Sequence, residues 1–170
     1  MSTEDTVIGT SKRPLTPADL WRDPANVLAL GFGSGLAPVA PGTFGTLVAL
    51  PVYWWLALLP LELYVAAVTA ASLLGIWICA RAGRSLQTDD HPGVVWDEIC
   101  GYLIAMCAVP RAWHWMLAGF VLFRAFDIWK PWPIRAVDRR VGGGFGVMLD
   151  DIIAGLLTWI VLQIAMRVVL

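Results

Sequence analysis

The stretch GVMLDDIIAGLLTWIVL, Gly146 to Leu162, sets two adjacent carboxylates, Asp150 and Asp151, at the mouth of an unbroken apolar run. From about Asp150 to Leu170 the run carries one further charge, Arg167, near its end, where a long basic side chain can snorkel to water. Its apolar residues are continuous rather than alternating, and its length is that of a bilayer-spanning helix, about 20 residues. A single Asp at such an entrance suits a helix cap, because its oxygen accepts orphan amide hydrogens and its charge meets the positive end of the helix dipole. Capping accounts for one acid and leaves the second unexplained.

Outward from this stretch the same pattern recurs. Leu47–Leu61 and Leu63–Ala80 are uncharged runs separated by Glu62 beside Pro60, and they read as a helical hairpin with Pro51 in a first turn or at a kink. Ile99–Val109 and Ala112–Phe123 are shorter, divided by Pro110-Arg111, and read as a re-entrant or interfacial pair or as buried helices. Hydrophobic residues make up 58% of the chain and charged residues 15%, against about 45–50% and about 25% in soluble domains, so the excess points to lipid. Ten tryptophans fit contacts at a membrane–water interface. The sequence therefore predicts an all-α, polytopic membrane protein, a compact helical bundle with three to five membrane-embedded segments. Residues 1–26 form a polar N-terminal arm with a short helix from Pro17, and residues 27–170 form one helical membrane-embedded domain. A net charge of −1 with no broad basic field gives no reason to expect nucleic acid as a partner. Cys79, Cys100 and Cys107 lie in apolar stretches without CxxC spacing and read as buried hydrophobes.

Six of the thirteen acidic residues fall between Asp97 and Asp151, and five of them border apolar helices: Asp97, Glu98, Asp127, Asp150 and Asp151. Gathered carboxylates oppose one another's ionisation unless a cation offsets them. Oxygen-only donors without a His or Cys cluster suit Mg²⁺ or Mn²⁺ rather than Zn²⁺. In FRAFDIWKPWPI, Arg124, Asp127 and Lys130 recur every three residues on one face of a helix that Pro131 ends. An ion-pair ladder on a surface helix is the bland reading of that face; phosphate contacts from Arg124 and Lys130, with Asp127 on a metal, are the sharper one. Basic residues at Arg81/Arg84 and from Arg124 to Arg140 would share the cytoplasmic side with the arm.

GFGSGLAPVAPGTFGT, Gly31 to Thr46, matches neither a dinucleotide fingerprint nor a Walker motif. It offers amides and hydroxyls, among them Thr43 and Thr46, near a helix start, an arrangement that favours anions; a plain connecting loop explains it equally well. His91, in a polar loop, offers a general acid, though a lone loop His is more often solvated; His114 reads as interfacial, and Asp89 and Asp90 as a solvated turn.

Four stretches in order, GFGSGLAPVAPGTFGTL, VVWDEICGY, FRAFDIWKPWPI and GGGFGVMLDDIIAG, closely resemble the motifs of the phosphatidylglycerophosphatase A family and together span Gly31 to Gly155. The resemblance implies a Mg²⁺-dependent phosphatase of the bacterial inner membrane. It would hydrolyse phosphatidylglycerophosphate to phosphatidylglycerol, a precursor of cardiolipin, with its active site facing the cytoplasm. On this reading Asp97, Asp127 and Asp151 are catalytic, and Asp97, Glu98, Asp127, Asp150 and Asp151 hold metal. Arg124, Lys130 and Arg139 bind phosphate, with Thr43 and Thr46 as further candidates. Two other classes compete: a small transporter or channel, which predicts acids near mid-bilayer and paired repeats, and a non-catalytic membrane scaffold whose charges only cap helices. The chain shows no internal repeat, and its oligomeric state is not legible in it.

Overall fold

The computed structural model describes residues 14–88, 91–138 and 141–169, and among them helix is the only regular secondary structure, as the continuous apolar runs predict. Two short helices, α1 (Pro17–Arg22) and α2 (Pro24–Ala29), lead through a 3₁₀ segment (Gly31–Leu36) into the body. The body comprises α3 (Pro41–Leu56), α4 (Leu61–Leu86), α5 (Trp96–Ala105), α6 (Trp113–Trp129), α7 (Ile134–Asp138) and α8 (Gly143–Val169). α1, α2 and α3 open with proline, which lacks the amide hydrogen that a first turn leaves unpaired anyway. Residues 1–13, the start of the expected arm, lie outside the described residues. Residues 14–26 form α1 and α2 against α4, where buried Asn26 donates to the Asp19 carbonyl (2.7 Å) and to Ser85 Oγ (3.1 Å).

Five helices alternate in direction between two ends of the bundle. α3 ends where Tyr53 donates to the Val109 carbonyl (2.7 Å), and α4 starts at that same end, where Tyr64 donates to the Leu103 carbonyl (2.6 Å). α4 returns to Arg81, which pairs with Asp23 at 2.9 Å. α5 runs out again from Asp97, α6 comes back to Lys130, and α8 runs out past Gln163, whose amide donates to the Cys107 carbonyl (3.2 Å). Both α4 and α8 are long and apolar enough to cross a membrane. At 10 residues, α5 rises only about 15 Å and sits at the centre, packed on α3, α4, α6 and α8. α3 and α4 do descend from a common turn, with Tyr53 against Tyr64 there, but each packs on α5, which lies between them in the bundle.

A short helix buried this deeply must end its backbone hydrogen bonding without water. Four side chains from α3, α4 and α8 supply the donors. Tyr64 serves the Leu103 carbonyl, Tyr53 serves Val109, and Trp159 Nε1 (2.9 Å) with Gln163 serves Cys107. The tyrosine rings stack edge to face, Tyr53 on Tyr64 and on Tyr102, each with centroids 6.4 Å apart, so the same residues fill the core and satisfy it.

α5 and α8 run parallel and touch through glycine. A methyl on Gly101 would lie 2.8 Å from the Asp151 carbonyl and 2.7 Å from the Phe123 ring, and one on Gly155 would meet the Gly101 carbonyl. α8 approaches α4 in the same way, since a methyl on Gly144 would lie 2.5 Å from the Ala80 amide nitrogen. This explains why α8 starts at Gly143 rather than near Asp150. Glycine opposes helix in isolation, but the GGGFG run is what lets the helix cross α4 at backbone distance, and packing overrides propensity. Asp150 and Asp151 are consequently about two turns inside α8, and neither caps it.

The outward faces are apolar. Leu73, Trp77, Val121, Ile160 and Ile164 are exposed, a distribution suited to lipid rather than to water. Exposed tryptophans gather at both ends, Trp55 and Trp113 at one, Trp21, Trp129 and Trp132 at the other. Trp113 and Trp129 are separated by about 24 Å along α6, close to the thickness of a bilayer core of about 30 Å. Gly155→Val should force α8 off α5 and lower stability by roughly 1–3 kcal/mol, seen as a reduced thermal midpoint in detergent; an unchanged midpoint would show that the glycine contact does not set the helix spacing.

Candidate active site

Asp97 and Gly101 are four residues apart on α5, and Asp151 and Gly155 are four apart on α8, so each acid stands one turn before its glycine on the same helix face. Because the two helices run parallel and meet at the glycines, the acids meet as well. Asp97, Glu98 and Asp151 each offer an oxygen, and these atoms all lie within 4.8 Å of one another. Asp97 is 7% exposed and Asp151 3%. Asp97 and Glu98 occupy the first turn of α5, whose dipole favours negative charge there.

The remaining predicted acids are held by cations. Arg124 on α6 is ion-paired with Asp127 one turn along, and its Nη1 lies 3.8 Å from Glu98 Oε1. Lys130 ends α6 in a left-handed backbone conformation (φ 43°), an unusual state for a side-chain-bearing residue, and its Nζ donates to Asp150 at 2.7 Å. These are partly buried pairs inside the bundle's end, not a ladder on an exposed face. Among the described residues, five carboxylates thus face two cations, and the excess negative charge rests on the Asp97–Glu98–Asp151 trio.

That excess is expensive. Two like charges about 4.8 Å apart repel by about 3.5 kcal/mol at an effective dielectric of about 20. Asp97 Oδ1, Glu98 Oε2 and Asp151 Oδ1 are also buried without a hydrogen-bond partner among the described residues. Burial, reinforced by the neighbouring charge of Glu98, pushes the Asp97 carboxyl well above its ordinary range. Burial, with the Asp151 charge behind it, pushes Glu98 up to about 8. The geometry of the three acids could hold a cation, which would offset this charge. Three carboxylate oxygens with no nitrogen or sulfur donor fit a hard divalent ion that keeps open positions for further oxygen ligands.

The trio opens on a cavity of about 250 Å³, which Asp127, Lys130 and Asp150 also line. Its wall includes His91, which the sequence alone reads as a solvated loop residue rather than a general acid, and glycines at the start of α8. His91 is buried rather than solvated, and its Nδ1 accepts the Gly93 amide hydrogen (3.1 Å), so the neutral ring carries its proton on Nε2. Gly143 and its neighbours at the start of α8 form the opposite rim. The legible signal for His91 was its place a few residues before the DE pair. Thr43 and Thr46 lie elsewhere: neither lines this cavity, and the buried Thr46 hydroxyl donates to the Gly42 carbonyl (2.9 Å). Arg139, Asp89 and Asp90 lie outside the described residues.

The phosphatidylglycerophosphatase A family model matches residues 27–166, which covers every residue of this site. The chain belongs to the phosphatidylglycerophosphatase A family. It is 45% identical over 137 residues to phosphatidylglycerophosphatase A of Escherichia coli, covering 80% of each chain. It is 40% identical over 154 residues to the Haemophilus influenzae protein of the same name, covering 89% of this chain and 94% of the relative. A third relative, from Bacteroides thetaiotaomicron, is 40% identical over 153 residues, covering 84% of this chain and 94% of that one, and is provisionally named a phosphatidylinositol-3-phosphatase. No solved structure matches the chain. Members of the phosphatidylglycerophosphatase A family are phosphatases by name, and the acidic cavity is the candidate for this chain's active site.

The Glu98 carboxyl gives the site a pH signature. Its ordinary value is 4.5, so between about pH 4.5 and 8 the folded, metal-free protein retains a proton that the unfolded chain releases. Stability is then highest on the acid side and falls as pH rises through that window. In EDTA the thermal midpoint should drop from pH 5 to pH 8, and saturating Mg²⁺ should abolish the drop; the same slope with and without the ion would contradict the site.

Proposed function

We propose that this protein hydrolyses phosphatidylglycerophosphate to phosphatidylglycerol and phosphate, as a step in phospholipid synthesis. In this reading Mg²⁺ is held by Asp97, Glu98 and Asp151 at the cytoplasmic face of the bacterial inner membrane. The observation that carries the reading is the trio of buried, unpartnered carboxylate oxygens in a cavity at one end of an apolar bundle. The names of the two relatives from Escherichia coli and Haemophilus influenzae supply the substrate.

A lipid phosphate monoester carries its charge at the interface and its tails in the bilayer, and the site matches that division. The acids lie at one end, and beyond Asp151 α8 runs on for about 27 Å of mostly apolar helix. Arg81, Arg84, Lys130 and Arg135 cluster at the acids' end, which favours the cytoplasm for that end. Acids gathered at an end, rather than at mid-bilayer, argue against a transport path, and two acids in a helix interior argue against mere capping.

When bound, the metal supplies Lewis-acid stabilisation of charge on the phosphoryl oxygens. The chain's own residues supply the rest. Lys130 and Arg124 approach the phosphate from α6, with Arg139 as a further cation, and offset charge spread over the phosphoryl oxygens. One of the carboxylates Asp97, Asp127 and Asp151 takes the proton of the attacking water. The water oxygen forms the new bond to phosphorus, the bond to the glycerol oxygen breaks, and that oxygen leaves with the electron pair and picks up a proton.

Phosphate release from purified protein in detergent tests this directly. With phosphatidylglycerophosphate the turnover should require Mg²⁺ and vanish in EDTA, and Asp97→Asn and Asp151→Asn should each lower kcat by at least about 100-fold. Metal-independent turnover, or full activity in both variants, would refute the site. Faster turnover of phosphatidylinositol 3-phosphate would move the substrate assignment to that of the third relative.

A further inference from the structure

The PGTFGT segment offers hydroxyls and amides that suit an anion, yet the structure gives its glycines a different place. Gly42 is the second residue of α3, whose N-terminus has no side-chain cap. The position where its side chain would begin is occupied: a methyl there would run into Glu98 Oε1, and it would lie 3.0 Å from Glu98 Cδ and 3.0 Å from Arg124 Nη1. Gly42 does not have a left-handed backbone and heads a regular helical turn, so conformational freedom is not what requires glycine here. Space for Glu98 is.

We propose that Gly42 is a positioning residue for the metal centre, a role that rests on the metal-site reading above. Its bare backbone lets Glu98 lie against the first turn of α3. One carboxylate oxygen, Oε1, sits near Arg124 at 3.8 Å, while the other, Oε2, takes no hydrogen bond among the described residues. The positive end of α3 favours the ionised carboxylate in that place. Glu98 is thereby fixed from three sides, by its own helix, by α3 and by Arg124, so it meets Asp97 and Asp151 without having to reorganise. A side chain at residue 42 would push Glu98 out of that position while leaving all three ligand residues intact.

The test is Mn²⁺ binding to the purified full chain in detergent, followed by electron paramagnetic resonance, which reads the site without turnover. Gly42→Ala should weaken Mn²⁺ affinity roughly 10- to 100-fold, the range found when supporting residues around metal ligands are changed. Gly119→Ala serves as the packing control: a methyl there would run into Met106 Sδ and lie 3.5 Å from Leu162 in the core, away from every proposed ligand, so affinity should hold even if the thermal midpoint falls. In a Glu98→Ala background, Gly42→Ala should cause no further loss, because the residue through which it acts is gone. Wild-type affinity in Gly42→Ala, or an equal loss in the Glu98→Ala background, would overturn the proposal. No Mn²⁺ binding by the wild type would instead overturn the metal reading itself. Should Gly42→Ala fail to fold alone, the Gly42→Ala/Glu98→Ala pair should fold and match Glu98→Ala; a pair that also fails places the clash elsewhere and refutes the role.

Discussion

The backbone contact between α5 and α8 at Gly101 and Gly155 governs the rest of this structure. It fixes how closely two parallel helices approach, and with it where every side chain one turn away must lie. Asp97 and Asp151 are both one turn away, on the same side. Each helix therefore repeats one short pattern, an acid followed four residues later by glycine, and superposing the glycines superposes the acids. The wider scaffold protects that contact. Tyr53, Tyr64 and Trp159 satisfy the carbonyls at the far end of α5, so a helix of 10 residues can sit in the middle of the bundle without reaching water at that end.

Burying charge at the other end is the cost of that arrangement, and the structure divides it between two devices. Asp127 and Asp150 are neutralised locally by Arg124 and Lys130, at the expense of a left-handed residue at Lys130. Among the described residues Asp97 and Asp151 have no cationic partner and Glu98 has only Arg124 at 3.8 Å, so each of the three keeps one oxygen without a hydrogen-bond partner that a metal ion could meet. The division assigns the five acids two kinds of work. In the reading proposed above the trio would hold the ion, while Lys130, paired with Asp150, lines the cavity where it can meet a phosphate ester and Arg124 stays behind the wall beside Asp127 and Glu98. Removing the partner of a buried charge is more damaging than removing both, so Arg124 and Lys130 belong to the site's stability as well as to its chemistry.

Much of this was legible in the sequence. Continuous apolar runs gave helices, Pro131 marked the end of α6, and acids without His or Cys neighbours pointed to an oxygen-ligated ion. The misses share a cause. Helix propensity places the start of α8 after the GGGFG run, whereas close packing on α4 carries the helix through it and moves Asp150 and Asp151 from the cap to the interior. Local chemistry makes Thr43 and Thr46 anion ligands, whereas the fold uses the glycines beside them as contact surface and returns the Thr46 hydroxyl to its own helix. His91 is a loop residue in sequence and structure alike, but the fold buries it against the acidic cavity. In each case the deciding contact lies between residues distant in sequence, which spacing along one chain segment does not encode.

Glycine-mediated packing brings Asp97, Glu98 and Asp151 together, and the proposed function requires a divalent ion between them. Anomalous diffraction from crystals grown with Mn²⁺ addresses it without reference to activity or stability. The account predicts a peak about 2.1 Å from one oxygen of each of the three carboxylates. A peak between Asp127 and Asp150 with the trio empty, or no peak at this end of the bundle, would contradict it.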